Sequence, residues 1–111
     1  MELPKTVKIG VYEYTVVGNA ELSEASGLHG ESSPRQQRIL INPDLPENYL
    51  RVVFLHEILH FVFFASGVRA LIEMDLEEKL LHVFTASLVD YLQNNDLSWL
   101  LKKAENGSLQ S

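Results

Sequence analysis

DLPENYLRVVFLHEILHFVFFASG, residues 44–67, is the stretch whose reading decides the fold. It opens with helix-start chemistry. Asp44 can cap, Pro46 is tolerated in a first turn, and Glu47 completes capping-box spacing with Asp44. It closes on Gly67, the natural C-terminal stop. The helix predicted between them, ending at Ser66, is apolar on all sides and belongs at the centre of the molecule. Only His56, Glu57 and His60 are polar between Val52 and Ala65. A buried carboxylate without a partner costs several kcal/mol, and two buried imidazoles add to that. A bare core helix has no use for these groups, whereas a bound metal ion would draw them together.

His56-Glu57-Ile58-Leu59-His60 has the HExxH pattern. Residues i and i+4 share a helix face, one turn apart. Two imidazoles so placed can converge on one ion at roughly 2.0–2.1 Å. Glu57 lies about 100° round the helix from His56. From there it reaches a water on the ion rather than the ion itself, the position of a general base.

A catalytic zinc site takes three protein ligands and leaves one position open. The candidates for the third are Glu73, Asp75, Glu77, Glu78 and His82. All lie at or near the start of a second helix, predicted from Asp75 to about Leu92 and ended by Asn94-Asn95. Its apolar stripe is Leu81, Phe84, Leu88, Tyr91 and Leu92. Glu77 and Glu78 are both close to register with that stripe, and periodicity does not separate them. Asp75 to Glu78 also has capping-box spacing, and acidic residues in a first turn suit the helix dipole without any metal.

Upstream, VKIGVYEYTVV (Val7–Val17) is rich in β-branched and aromatic residues and reads as strand, with a turn or bulge near Gly10. GESSP (Gly30–Pro34) reads as a turn and QRILIN (Gln37–Asn42) as a further strand, ended by Asn42-Pro43. An extended peptide could add to the edge of QRILIN. Val68–Met74 reads as a linker or a frayed first turn. LSWLLKKA (Leu97–Ala104) reads as a short amphipathic helix anchored to the body by Trp99. Strands first and helices after make an α+β chain. The expected architecture is a small antiparallel sheet of about three strands, packed on the HExxH helix and a second long helix. Residues 1–105 form one domain, and 106–111 a frayed tail.

With 111 residues, the chain is long enough for one core. It has no cysteine, so metal ligands must be His, Asp, Glu or water. A net charge of −6 argues against nucleic acid as a partner. The apolar run Leu50–Ala65 is short for a bilayer and carries Arg51, His56, Glu57 and His60, so no membrane partner is expected. The N-terminus lacks a signal-peptide core, and a cytoplasmic location is expected.

HEILH, with a glutamate eighteen residues after His60, resembles the gluzincin-type zincin metallopeptidases. More closely it resembles the compact ImmA/IrrE-type peptidases and the small HExxH proteins of phages and mobile elements. Glu78, Leu81, His82, Phe84, Thr85, Ala86 and Leu88 fit the second motif of that family. LHGESSPRQQRILIN fits its strand–turn–strand lead-in. His82 departs from the frame, which usually holds Asn or Asp there. The resemblance spans Leu28 to Asn95. It implies metal ligands His56, His60 and Glu78, with Glu57 as the base; Glu77 remains the alternative third ligand. His82, one turn beyond Glu78, is the candidate oxyanion donor or a supporting residue.

The expected function is therefore a zinc-dependent metallopeptidase, one Zn2+ per chain, acting on a protein or peptide, such as a repressor. The alternative is a non-enzymatic partner-binding module with a structural or vestigial metal site. Glu57 discriminates between them, because a purely structural site needs no base. The same ligands could also support hydrolysis of a non-peptide amide.

Overall fold

The computed structural model describes residues 2–22 and 29–103. The predicted tail, 106–111, lies outside them. Four strands precede the helices: β1 (Thr6–Ile9), β2 (Tyr12–Gly18), β3 (Gly30–Ser33) and β4 (Arg38–Ile41). Then come α1 (Glu47–Ser66), a 3₁₀ turn (Val68–Ala70), α2 (Met74–Gln93) and the four-residue α3 (Ser98–Leu101). The α+β class stands.

The sheet departs from expectation in strand number and direction. It has four strands in the order β1-β2-β4-β3, and β2 runs parallel to β4. Val7–Val17 is a hairpin that turns at Gly10, the site of the expected turn: Ile9 pairs with Tyr12 across Gly10-Val11. Gly10 has φ +63° and Val11 has no positive φ, the requirement of a type II′ turn. GESS is strand, not turn. The turn that follows it closes at Gln37, whose N–H bonds the Pro34 carbonyl at 3.2 Å. β4 is consequently internal, with Ile39 and Ile41 fully buried, and both its edges are taken. Both edges of the β4 strand within QRILIN are paired, so the peptide edge predicted there is already occupied; among the described residues the unpaired edge near α1 belongs to β3.

The helix predicted at 44–66 begins at Glu47, with Pro46 in the N-cap position and no side-chain cap. Asp44 does not cap. Its N–H is held by Asn42 Oδ1 at 2.9 Å, an Asx turn that directs the chain into the helix. Gly67 closes the helix in the left-handed region, φ +85°. Leu50, Phe54, Glu57, His60 and Phe61 form its buried stripe. The core gathers Tyr14, Ile39 and Ile41 from the sheet and Leu50, Phe54 and Phe61 from α1. Tyr14 stacks on Phe61 with ring centroids 3.9 Å apart. The 20-residue α1 is long and apolar enough to cross a bilayer by length and composition alone, but here it lies between the sheet and α2. Val62 and Phe64 are exposed, so the helix is central without being enclosed.

Only the first half of α2 is buried, through Glu77, Leu81 and Thr85. Tyr91 and Leu92, placed on the core stripe by periodicity, are exposed. Trp99 does not anchor α3 to the body; it is 70% exposed. A helix of one turn gives the ring no opposing surface to pack on.

Candidate metal centre

Helix α1 presents His56 and His60 on one face, one turn apart, and α2 crosses that face with its first turns. Glu78 meets both rings. Its Oε1 lies 3.0 Å from His56 Nε2, and its Oε2 lies 2.8 Å from His60 Nε2. The two Nε2 atoms are 3.2 Å apart, with the rings inclined at 75°. One donor atom from each residue falls within 4.8 Å of the other two. A tetrahedral site with bonds of about 2.0–2.1 Å has donor–donor edges of about 3.3 Å. The Nε2–Nε2 edge is close to that length, and the His₂–carboxylate set is compatible with a divalent ion.

The protonation logic points the same way. Glu77 is fully buried, and its Oε2 lies 2.6 Å from His60 Nδ1. A carboxylate only accepts, so Nδ1 carries the proton and donates it. A neutral His60 ring then presents a lone pair at Nε2. That lone pair faces His56 Nε2 and the Glu78 carboxylate, atoms that also present lone pairs unless protonated. Burial pushes the His56 pKa down, against the pull of Glu78, and the charges of His60 and His82 lower it further. A neutral His56 suits a ligand. Facing lone pairs near 3 Å repel one another unless a proton or a cation lies between them, and a divalent cation relieves all three at once.

Glu77 belongs to the far side of His60, away from the donor triangle. Burial pushes its pKa up, but hydrogen bonds from Arg69 and His60 and their charges outweigh that and hold it below the usual carboxylate range. Arg69 donates from Nε to Glu77 Oε1 at 3.3 Å and from a terminal nitrogen to Oε2 at 3.0 Å.

Glu57 points to the sheet side of the triangle and is 7% exposed. Burial pushes its pKa up to about 7, opposed by the charge of His60 and a hydrogen bond from Ser32, and assisted by Glu78 and Glu31. Gly30 makes this fit possible. A Cβ there would lie 3.1 Å from Glu57 Cγ and 3.1 Å from Val53 Cγ1, so β3 passes this close to α1 without displacing either side chain because the residue is a glycine.

A cavity of about 430 Å³ opens over the triangle, between the start of β3, α1 and α2. Val52, Val53, Leu81 and Ala86 give it apolar walls, and His56, Glu57, Glu78 and His82 a polar end. His82 is exposed on the α2 side. Among the remaining candidates, Asp75 pairs with Lys79 at 3.1 Å in solvent, and Glu73 is the N-cap residue of α2. Sequence reasoning missed Arg69, Ser32 and His29. His29 lines the cavity, sits edge-on to Tyr49, and has a buried Nδ1 without a hydrogen-bond partner. Arg69 lies in no motif, and His29 and Ser32 lie in LHGESSPRQQRILIN without anything local that marks them; only the fold brings the three to the site. Comparison of the chain with protein-family models, with curated proteins and with solved structures finds no match.

Proposed function

We propose that the protein is a zinc-dependent metallopeptidase. The observation that carries this reading is the pairing of a complete donor triangle with a buried, nearly neutral-range carboxyl, Glu57, at the mouth of one cavity. His56 Nε2, His60 Nε2 and Glu78 would hold the ion. A zinc ion bound there supplies Lewis acidity, lowering the pKa of water and polarising a carbonyl. Glu57 does the proton work. Its carboxylate takes a proton from water as the water oxygen attacks the scissile carbonyl carbon. It then delivers that proton to the amide nitrogen as the C–N bond breaks, leaving a carboxylic acid and an amine. A pKa near 7 is suited to both transfers. His82, exposed at the cavity's polar end, would donate to the developing oxyanion. The free edge of β3 offers backbone groups beside the cavity, to which an extended peptide can add as a further strand.

Elemental analysis and one variant test this reading. The purified protein is expected to hold about one zinc per chain, and Glu57→Gln to keep that zinc while losing peptide hydrolysis. A Glu57→Gln variant that hydrolyses peptide as well as wild type refutes the assignment. A second reading, a partner-binding module, has its own observation: Trp99, Leu100 and Leu101 are all exposed on α3. Metal-loaded protein that hydrolyses no peptide in a degenerate library, with or without Glu57, favours that reading.

A further inference from the structure

We propose that Arg69 and Glu77 form a positioning pair that fixes the tautomer and orientation of His60, and so sets the affinity of the centre for a divalent cation. The inference rests on the metal-centre reading above, but its first readout does not need the metal.

Five contacts carry it. Glu77 Oε2 accepts from His60 Nδ1 at 2.6 Å, the shortest polar contact of the centre. Both carboxylate oxygens also accept from Arg69, at 3.3 and 3.0 Å. The same guanidinium donates to the backbone carbonyl of His60 at 3.2 Å. Its carbon sits 5.3 Å from the centroid of the Phe64 ring. Arg69 therefore grips both the His60 backbone and the carboxylate that grips the His60 ring. Ring, backbone and carboxylate are held as one body.

The consequence is chemical as well as mechanical. A neutral imidazole carries its proton on one nitrogen only. Glu77, held as a carboxylate acceptor, draws that proton to Nδ1 and leaves Nε2 bare towards Glu78 and His56. The opposite tautomer would aim an N–H into the donor triangle and could not bind a cation. Arg69 touches none of the three ligand atoms of the triangle. It acts through Glu77, and Glu77 acts through the ring. Gly67 makes the arrangement possible: its left-handed backbone, φ +85°, turns the chain at the end of α1 into the 3₁₀ turn that carries Arg69 back.

The test uses Arg69→Met, Arg69→Lys and Glu77→Gln in the full chain. Long-range ¹H–¹⁵N spectra of metal-free protein report the His60 tautomer directly. The expected result is a single Nδ1–H tautomer in wild type and a mixture in Arg69→Met. Zinc affinity, measured by competition with a chromophoric chelator, is expected to fall roughly 10–100-fold in Arg69→Met and Glu77→Gln, the range for lost supporting contacts. Arg69→Lys should recover part of it. A merely structural role would lower the melting temperature equally with and without zinc, whereas a positioning role shrinks the gain that zinc confers. If Arg69→Met does not fold, Glu77→Gln and the wild-type tautomer decide. An Nε2–H tautomer in wild type, or variant affinities within about threefold of wild type, a difference well below the expected range, overturns the proposal. Failure of wild type to bind zinc at all, with the Nδ1–H tautomer intact, sinks the metal reading and leaves the clamp on the ring standing.

Discussion

Glu77 and Glu78, consecutive in the chain, take opposite nitrogens of one imidazole: Glu77 Oε2 lies 2.6 Å from His60 Nδ1, and Glu78 Oε2 lies 2.8 Å from His60 Nε2. Successive helix residues diverge by about 100°, which is enough to straddle a ring lying across the helix. One carboxylate is fully buried with Arg69, and the other is 57% exposed in its side chain at the cavity. The division of labour follows from those surroundings. A ligand must reach the ion, and an orienting group must be held away from it.

The two carboxylates should therefore fail differently. Glu78→Ala removes a donor from an exposed position. Its zinc affinity should drop by more than the roughly 10–100-fold typical of a supporting contact. The melting temperature of metal-free Glu78→Ala should stay near wild type. Glu77→Ala leaves the Arg69 charge without its carboxylate in a buried site, which typically costs about 3–5 kcal/mol. Chelator competition and thermal melts of metal-free protein separate the two. Comparable zinc loss with comparable melting loss in both would show that the assignment of roles is wrong.

How much of this is legible in the sequence depends on range. The HExxH helix is readable because its stop glycine, its apolar run and its polar triad all lie within one continuous stretch. Its start reads three residues early, because Asp44 has the chemistry of a cap while Asn42 already holds its N–H. Period does not separate Glu77 from Glu78, since each is within one residue of the same stripe; only the distance to a particular ring nitrogen distinguishes them. Arg69 is invisible inside a segment that reads as linker, because its role depends on the chain folding back after Gly67. The parallel β2–β4 pairing is hidden for a similar reason. Sequential strands are so often neighbours that nothing local signals a β3–β4 hairpin inserting β4 beside β2. Gly30 suggests a turn by composition, while its cause is the close approach of Glu57.

Glu57 should make the metal-free protein less stable as pH rises. Its folded pKa is raised to about 7, above an ordinary carboxyl value. The folded state therefore holds the proton more tightly than the unfolded state. The associated stability is fully present below the ordinary value, near pH 4, and is lost as pH rises through about 7. The loss is of order 3 kcal/mol. Urea denaturation of chelated protein at pH 5.5 and pH 8.5 captures the larger part of it, about 2 kcal/mol. Glu57→Gln should remove most of the difference, and the comparison with wild type cancels the histidines, which titrate in both. Equal pH dependence in the two proteins would mean that Glu57 is solvated rather than buried.

Trp99→Ala should be nearly silent for stability. The ring is 70% exposed, and substitutions away from packed features usually change stability by no more than about 0.5 kcal/mol. Phe61→Ala provides the contrast, because Phe61 is fully buried and stacked on Tyr14. A loss of roughly 3–5 kcal/mol is expected there. Denaturant midpoints of the two variants check the pair. A large loss for Trp99→Ala would place α3 against the body.

Gly30→Ala tests whether the base is positioned by the strand. The new Cβ would meet Glu57 Cγ and Val53 Cγ1, each at 3.1 Å, closer than ordinary van der Waals contact. Val53 borders the cavity and is only partly buried, and a shift of a few tenths of an ångström is shared between it and the Glu57 side chain. Overpacking of this kind costs about 1–3 kcal/mol. The three donor residues lie on the opposite side of Glu57 from Gly30, so zinc content and affinity should stay close to wild type. Hydrolysis should fall by at least about tenfold through kcat, because a base displaced by about 1 Å can lose a factor near 100. Steady-state kinetics on zinc-loaded protein, beside a zinc titration, reads both quantities. Loss of zinc in step with activity would place the strain on the ligands instead. Unchanged kcat would show that Glu57 tolerates displacement, which a proton carrier in hydrogen-bond reach of its water does not.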